Sequence, residues 1–116
     1  MEARAVTKWV RRGPRKARKF IDLIRGCTAN EARAMLGVQA SPAAAEVLGC
    51  LNSAVANGEN NHGMDPDEMI VLTAVVDEGP RMRRLRPRAR GRADIQRRPT
   101  CHITVVVSDG TATESD

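Results

Sequence analysis

The spacing of apolar residues divides this chain into extended and helical stretches. Residues 3–10 alternate loosely, with Ala5, Thr7 and Trp9 on one side and Arg4, Val6, Lys8 and Val10 on the other, which predicts a short strand. Gly13 and Pro14 then open a helix with proline at its first position, where the missing amide hydrogen is not needed. Ala17, Phe20, Ile21 and Ile24 recur at i, i+3, i+4 and i+7 and form one apolar stripe, with Arg15, Lys16, Arg18 and Lys19 off it. Gly26 is the expected stop. Thr28 and Glu31 have capping-box spacing, so a second, short helix starts there, with Ala32, Met35 and Leu36 as its apolar face and Gly37 at its end. Ser41 and Pro42 begin a third helix with the stripe Ala44, Val47, Leu48, Leu51 and Val55. It is expected to reach about Asn57, roughly 24 Å at 1.5 Å per residue.

Residues 60–63 and 65–67 carry turn chemistry. Met69–Val76 and Ile103–Val107 are rich in β-branched residues and predict two further strands. Residues 108–116 are small, polar and acidic, and are expected to be a flexible tail. Between the two strands lies the anomaly, residues 77–101, which are long for a loop in a small domain. An extended β-ribbon satisfies such a backbone better than coil does. Two legs of about twelve residues would project roughly 40 Å at ~3.3 Å per residue. That is far beyond the radius of gyration of about 13 Å expected for a domain of this size.

Charge changes the picture most. The net charge is +5, carried by 16 Arg and 3 Lys. Ten of the 19 basic residues lie between Arg4 and Arg33 and nine between Arg81 and Arg98. From Ala34 to Pro80 there is no Lys or Arg, while seven acids occur (Glu46, Glu59, Asp65, Asp67, Glu68, Asp77 and Glu78). If the chain folds compactly, a basic face and an acidic face follow, which points to a polyanionic partner. Arg81, Arg83, Arg84, Arg86, Arg88, Arg90, Arg92, Arg97 and Arg98 form the main constellation. From Arg84 to Arg92 they alternate with Leu85, Pro87, Ala89 and Gly91, which puts guanidinium groups on one side of an extended chain. Guanidinium forks pair bidentately with phosphate and stack on bases. Arg11, Arg12, Arg15, Lys16, Arg18 and Lys19 form a second basic patch at the start of the first helix, whose N-terminus itself attracts phosphate. The plain alternatives are a solvated loop or targeting run for the first cluster and an ordinary exposed helical face for the second.

Composition removes other classes. Hydrophobic residues make up 41% of the chain, enough for one small core in 116 residues, but there is one Trp, one Phe and no Tyr. An array of stacking aromatics, as single-strand binders use, is therefore missing. Cys27, Cys50 and Cys101 are odd in number and far apart, which argues for free thiols and a reducing compartment. With His62 and His102 they match no zinc spacing, so no metal and no cofactor is expected. No apolar run approaches a membrane span, and the N-terminus lacks a signal-peptide core. Asp65, Asp67 and Glu68 surround Pro66 and read as a turn rather than an acid–base site. No nucleophile elbow, phosphate loop or triad is present, so the chain is not expected to be an enzyme. Met82, Leu85 and Ile95 are apolar residues of the arm, able either to wedge against RNA or to pack across the legs.

Five blocks give the chain a family resemblance. They are residues 14–18 (PRKAR) with 22–26 (DLIRG), 51–61 (LNSAVANGENN), 76–80 (VDEGP), 87–93 (PRARGRA) and 102–107 (HITVVV). In this order, and over nearly the whole chain, it resembles the universal large-subunit ribosomal protein numbered twenty-two, in its bacterial or organellar form. The resemblance implies an α+β fold, with a three-stranded antiparallel sheet packed on three helices and a long extended β-hairpin arm. It implies one domain over residues 1–107, with the globular part at 1–79 and 99–107 and the arm at about 80–98. It also implies a structural role in the large ribosomal subunit. The globular part would lie near the tunnel exit, and the arm would thread between rRNA segments during assembly. The arm tip, Met82 through Ala93, would line the nascent-peptide exit tunnel with Met82, Arg83, Arg84, Arg88, Arg90, Gly91, Arg92 and Ala93, and of these Arg84, Arg88, Arg90, Gly91, Arg92 and Ala93 would contact the nascent polypeptide. Partners would be large-subunit rRNA, neighbouring large-subunit proteins and that polypeptide, in a cytoplasmic or organellar ribosome and with no membrane. Cys27 stands where Lys is common, Glu46 and Gly49 in a helix often carrying Lys, Gly58 for a usual Ala and Cys101 for a usual Ser. These departures argue against an rRNA role for the exposed face of the third helix and leave the arm untouched. The alternative reading is a free-standing basic nucleic-acid-binding regulator. Preference for a duplex DNA sequence over rRNA would favour it.

Overall fold

Alternation builds the floor of the molecule. In the computed structural model, Glu2–Val10 (β1), Ile70–Glu78 (β2) and Cys101–Ser108 (β5) form an antiparallel sheet in the order β1-β5-β2. Its inward positions are Ala3, Ala5 and Val10, then Val71, Ala74 and Val76, then Cys101, Ile103, Val105 and Val107, all buried. Three helices cover that face: Pro14–Ile24 (α1), Ala29–Gly37 (α2) and Pro42–His62 (α3). Met82–Pro87 (β3) and Ala93–Arg98 (β4) form a separate two-stranded ribbon. The structure describes residues 2–87, 89–91 and 93–109 and, for Met82, Arg84, Arg86 and residues 94–97, the backbone alone. Arg88, Arg92 and most of the expected tail, residues 110–116, lie outside the described residues. The α+β class, the three-stranded sheet, the three helices and the hairpin arm agree with expectation.

The α1 stripe is buried as its period dictates, with Ala17, Phe20, Ile21 and Ile24 facing the core. Large side chains shielded this fully are worth ~1.5–3 kcal/mol each relative to exposure. On α2, the Thr28 hydroxyl oxygen accepts from the Glu31 amide at 3.2 Å. The Glu31 carboxylate accepts the Thr28 hydroxyl proton at 2.9 Å instead of reaching back to the Thr28 amide.

The third helix corrects the sequence reading. It runs to His62, about 32 Å long, so Asn60, Asn61 and His62 are helical and the turn begins at Gly63. Two contacts hold the extra turns against β1. The Asn57 amide donates to the Arg4 carbonyl at 2.9 Å. Gly58 is buried where a Cβ would press on Met69, Met64 and Ala3. Gly63 ends the helix at φ 66°, a conformation that glycine adopts without strain. Asp65 then caps a single 3-10 turn, Pro66–Glu68, by accepting from the Asp67 amide at 3.0 Å. The sheet strands also outrun their expected ends. β2 continues to Glu78, and β5 spans Cys101 to Ser108, one residue into the expected tail, because each has a partner to pair with along that length.

A second correction is at Trp9. Simple alternation puts it inside with Ala5 and Thr7. The β1–β5 register instead shifts between Thr7 and Val10. Trp9 takes φ 63°, faces solvent at 60% exposure, and lets Val10 into the core.

The arm grows from the junction of β2 and β5, where Glu78 pairs with Cys101. The Gly79 amide donates to the Thr100 carbonyl at 2.9 Å, and the Thr100 hydroxyl donates to the Pro80 carbonyl at 2.6 Å. A Cβ on Gly79 would run into that hydroxyl and the His102 ring. Beyond this waist the ribbon has six register pairs, from Met82↔Arg98 to Pro87↔Ala93, about 20 Å of sheet. It is thus shorter than one uninterrupted pair of twelve-residue legs, because Gly79–Arg81 and Pro99–Thr100 break the ladder. The molecule still measures 64 × 29 × 21 Å, with a radius of gyration of 17.3 Å.

Candidate nucleic-acid interface

The fold brings together basic segments that the acid-rich middle of the chain separates. Val10 is the register partner of Cys101, two residues after the arm's last proline. The β1–α1 turn also lies against the arm's root, since a Cβ on Gly13 would be 3.8 Å from Pro99 Cγ. Lys8, Arg11, Arg12 and the first turns of α1 therefore occupy the same end of the body as Arg81 and Arg98. Charges of one sign gathered at one end raise the local potential beyond what either cluster makes alone.

The six cations of the first patch have different tasks. Arg11, Arg15 and Lys16 are exposed. Arg12 Nε donates to Glu46 Oε1 at 2.8 Å, with both side chains partly exposed, a surface pair worth ~0–1 kcal/mol. Arg18 Nη2 donates to the Val76 carbonyl at 3.0 Å, so this guanidinium ties α1 to β2. Lys19 Nζ lies 5.7 Å from the Phe20 ring centroid. Lys16 and Lys19 also border an open cleft of about 320 Å³ with Phe20, Gln39, Ala40 and Ser41. The first turn of α1 holds no acid, so its amide dipoles reinforce the surrounding cations.

In the arm, Arg81, Arg83, Arg90 and Arg98 are exposed. The backbone register sets Arg83 opposite Arg97, Arg84 opposite Gln96, Arg86 opposite Asp94 and Leu85 opposite Ile95. Like charges directly opposite destabilise a ladder. The register therefore makes Leu85 and Ile95 a cross-strand pair, although Leu85 remains 71% exposed. The one-sided alternation expected to run to Arg92 stops as extended backbone at Pro87, because a turn at Ala89–Gly91 intervenes, with Arg90 at φ 63° and Gly91 at φ 74°. Of the expected tip, Met82, Arg83 and Arg84 lie at the body end of β3, Arg90 and Gly91 lie in the turn, and Ala93 opens β4.

The acids separate only in part. Asp65, Asp67 and Glu68 precede β2, at the end of the sheet away from the arm. Asp77 and Glu78 close β2 at the arm's root, and Glu46 is paired with Arg12. Sequence reasoning missed two features of the body. One is the exposed Trp9, betrayed only by Val10, the next residue, being equally apolar. The other is Arg25, whose Nε and Nη2 donate to the Ala74 carbonyl at 3.1 and 2.6 Å while Nη1 reaches Asp22 at 2.9 Å.

The thiols serve the core. Cys50 is buried, 3.5 Å from the Ile103 carbonyl and 3.6 Å from that of Ala5. Burial pushes its pKa up. Burial also raises that of Cys101, with the Glu46 carboxylate adding to the effect. Among the described residues no group of three or more His, Cys, Asp or Glu is arranged to hold a metal ion, and no helix is long and apolar enough to cross a membrane.

Comparison with known proteins gives one consistent answer. The family model described as Ribosomal protein L22p/L17e matches residues 5–108. The chain is 52% identical over 109 residues to the large ribosomal subunit protein uL22 of Desulforamulus reducens, covering 94% of this chain and 96% of that one. It is 51% identical over 109 residues to the protein of the same name from Fusobacterium nucleatum, covering 94% and 98%.

Proposed function

This chain belongs to the ribosomal protein L22p/L17e family, and from that premise we propose how it serves as a structural constituent of the large ribosomal subunit. It binds large-subunit rRNA with two basic segments acting as one surface: Arg11, Arg12, Arg15, Lys16, Arg18 and Lys19 around the start of α1, and the arm's arginines. The arm supports assembly by lying between rRNA segments, with neighbouring large-subunit proteins against the body. Its turn, around Arg90, Gly91 and Ala93, reaches the exit tunnel and the nascent polypeptide. Met82, Arg83 and Arg84 then belong with the rRNA-holding shaft, because the ribbon sets them at its body end. Its place is the ribosome, and its role is structural rather than catalytic.

One observation carries this reading. The ribbon projects from the body with Arg83 set opposite Arg97 and Leu85 largely exposed. An isolated two-stranded hairpin is marginal in water, and this one carries the exposed cations Arg81, Arg83, Arg90 and Arg98. Phosphates around it would supply the attraction that holds it.

The test is the salt dependence of binding to a large-subunit rRNA fragment. If about eight cations meet phosphates, log affinity falls against log salt with a slope of roughly −5 to −7. A slope near zero would remove phosphate contact as the source of binding. Co-sedimentation with the large subunit, with residues 81–98 protected from protease only there, is expected alongside. Equal cleavage of free and subunit-bound protein would refute the buried arm.

A further inference from the structure

We propose that Trp9 is a nucleobase-stacking contact at the root of the arm, a single aromatic platform set among cations. This rests on the rRNA-binding reading above and adds a contact of different chemistry.

Four observations carry it. Trp9 is the only tryptophan, and 60% of it is exposed although the strand's alternation offered it a buried position. The backbone adopts φ 63° to turn it outward, a conformation that costs about 1–3 kcal/mol for a residue with a Cβ. Strain of that size persists where surrounding contacts enforce it, and they do here. The Trp9 amide donates to His102 Nδ1 at 3.1 Å, and the two rings meet edge to face at 4.9 Å and 89°. A single edge-to-face contact can occupy no more than one face of the indole. The ring is thus pre-oriented, with little freedom left to lose on binding.

The setting selects the partner. Lys8 and Arg11 flank Trp9 in the chain and are exposed, and the arm's root begins at the neighbouring Cys101. Val10 turns inward, and the outer-face apolar side chains Val6 and Val75, both register partners of Thr104, are only 38% and 36% exposed. A fixed aromatic flanked in the chain by Lys8 and Arg11, with Asp77 entering only as the register partner of His102, suits an unpaired base, whose face stacks on indole while its phosphates meet the cations. A protein partner would be expected to need a wider apolar surface.

Because Trp9 is the only tryptophan, its fluorescence reports on the contact directly. The full chain is titrated with a mixed-sequence single-stranded RNA of about twenty nucleotides, with a duplex RNA of equal charge, and with inorganic polyphosphate. End-labelled RNA gives the binding isotherm independently. Quenching at saturation with single-stranded RNA, and little with duplex or polyphosphate, is expected. Trp9→Ala should weaken single-strand binding about 5- to 100-fold with an unchanged salt slope, while Trp9→Phe stays within about threefold of wild type.

Unchanged fluorescence at full RNA saturation, with wild-type affinity for Trp9→Ala, overturns the stacking contact and leaves the phosphate reading standing. Failure of every RNA to bind overturns both. A fluorescence change produced only by large-subunit proteins replaces the base with a protein partner and overturns the proposal too.

Discussion

The body and the arm of this molecule are stabilised by opposite logics. In the body, side chains such as Ile21, Leu51 and Ile103 are wholly shielded from water, and the polar contacts tie elements together: Arg18 to Val76, Arg25 to Ala74, Asn57 to Arg4. In the arm, Leu85 is mostly exposed and arginine is set against arginine. The arm's composition makes sense against an external negative charge. Arginine therefore has two meanings in one chain. Arg18 and Arg25 reach backbone carbonyls and tie elements together, while Arg83 and Arg90 stand exposed on the arm.

The sharpest way to break this contrast is to attack each side separately. Leu51→Ala should lower the unfolding free energy by about 2–5 kcal/mol, read by urea denaturation; a loss below 1 kcal/mol would mean that the body is not the packed core described. Next comes the waist. Gly79→Ala drives a methyl into the Thr100 hydroxyl and the His102 ring, and should cost about 1–3 kcal/mol while speeding tryptic cleavage after Arg81. Unaltered cleavage would show that this junction does not restrain the arm.

The thiols add a pH signature to the body alone. The Cys50 and Cys101 pKa values are raised by burial, so above the unfolded thiol value of about 8.5 the unfolded chain releases protons that the folded chain retains. Their contribution to stability is fully present below that pH and lost as pH rises toward the folded values. Stability should therefore fall as pH rises through that window. Thermal unfolding that stays flat from pH 8 to 10 would contradict the assignment. The smallest effect on stability belongs to the arm. Arg83→Ala removes an exposed cation and should shift unfolding of the free protein by no more than about 0.5 kcal/mol. Its rRNA salt slope should become shallower by roughly 1. An unchanged slope would take Arg83 out of the interface.

Much of this was legible from residue order. The α1 stripe of Ala17, Phe20, Ile21 and Ile24 and the Thr28 cap are local patterns, and local sterics decide them. So too was the ribbon between two β-rich runs, because twenty-odd residues with nine arginines have few other satisfied conformations. The end of α3 was not legible. Asn60, Asn61 and His62 are turn formers locally, yet contacts to Arg4, Met64 and Met69, distant or beyond the turn, keep the helix going.

The sequence by itself determined the elements, their amphipathic faces and the density of positive charge, since these depend on periodicity and composition. Tertiary structure alone decided which arginines are spent on carbonyls, which strand partners face each other in the arm, and that Trp9 points outward. Each of those depends on what residues dozens of positions away supply: the Val76 and Ala74 carbonyls, the Arg97 register and the His102 nitrogen. No local pattern encodes them, because the free energy that selects them arises only when the sheet closes and the partners meet.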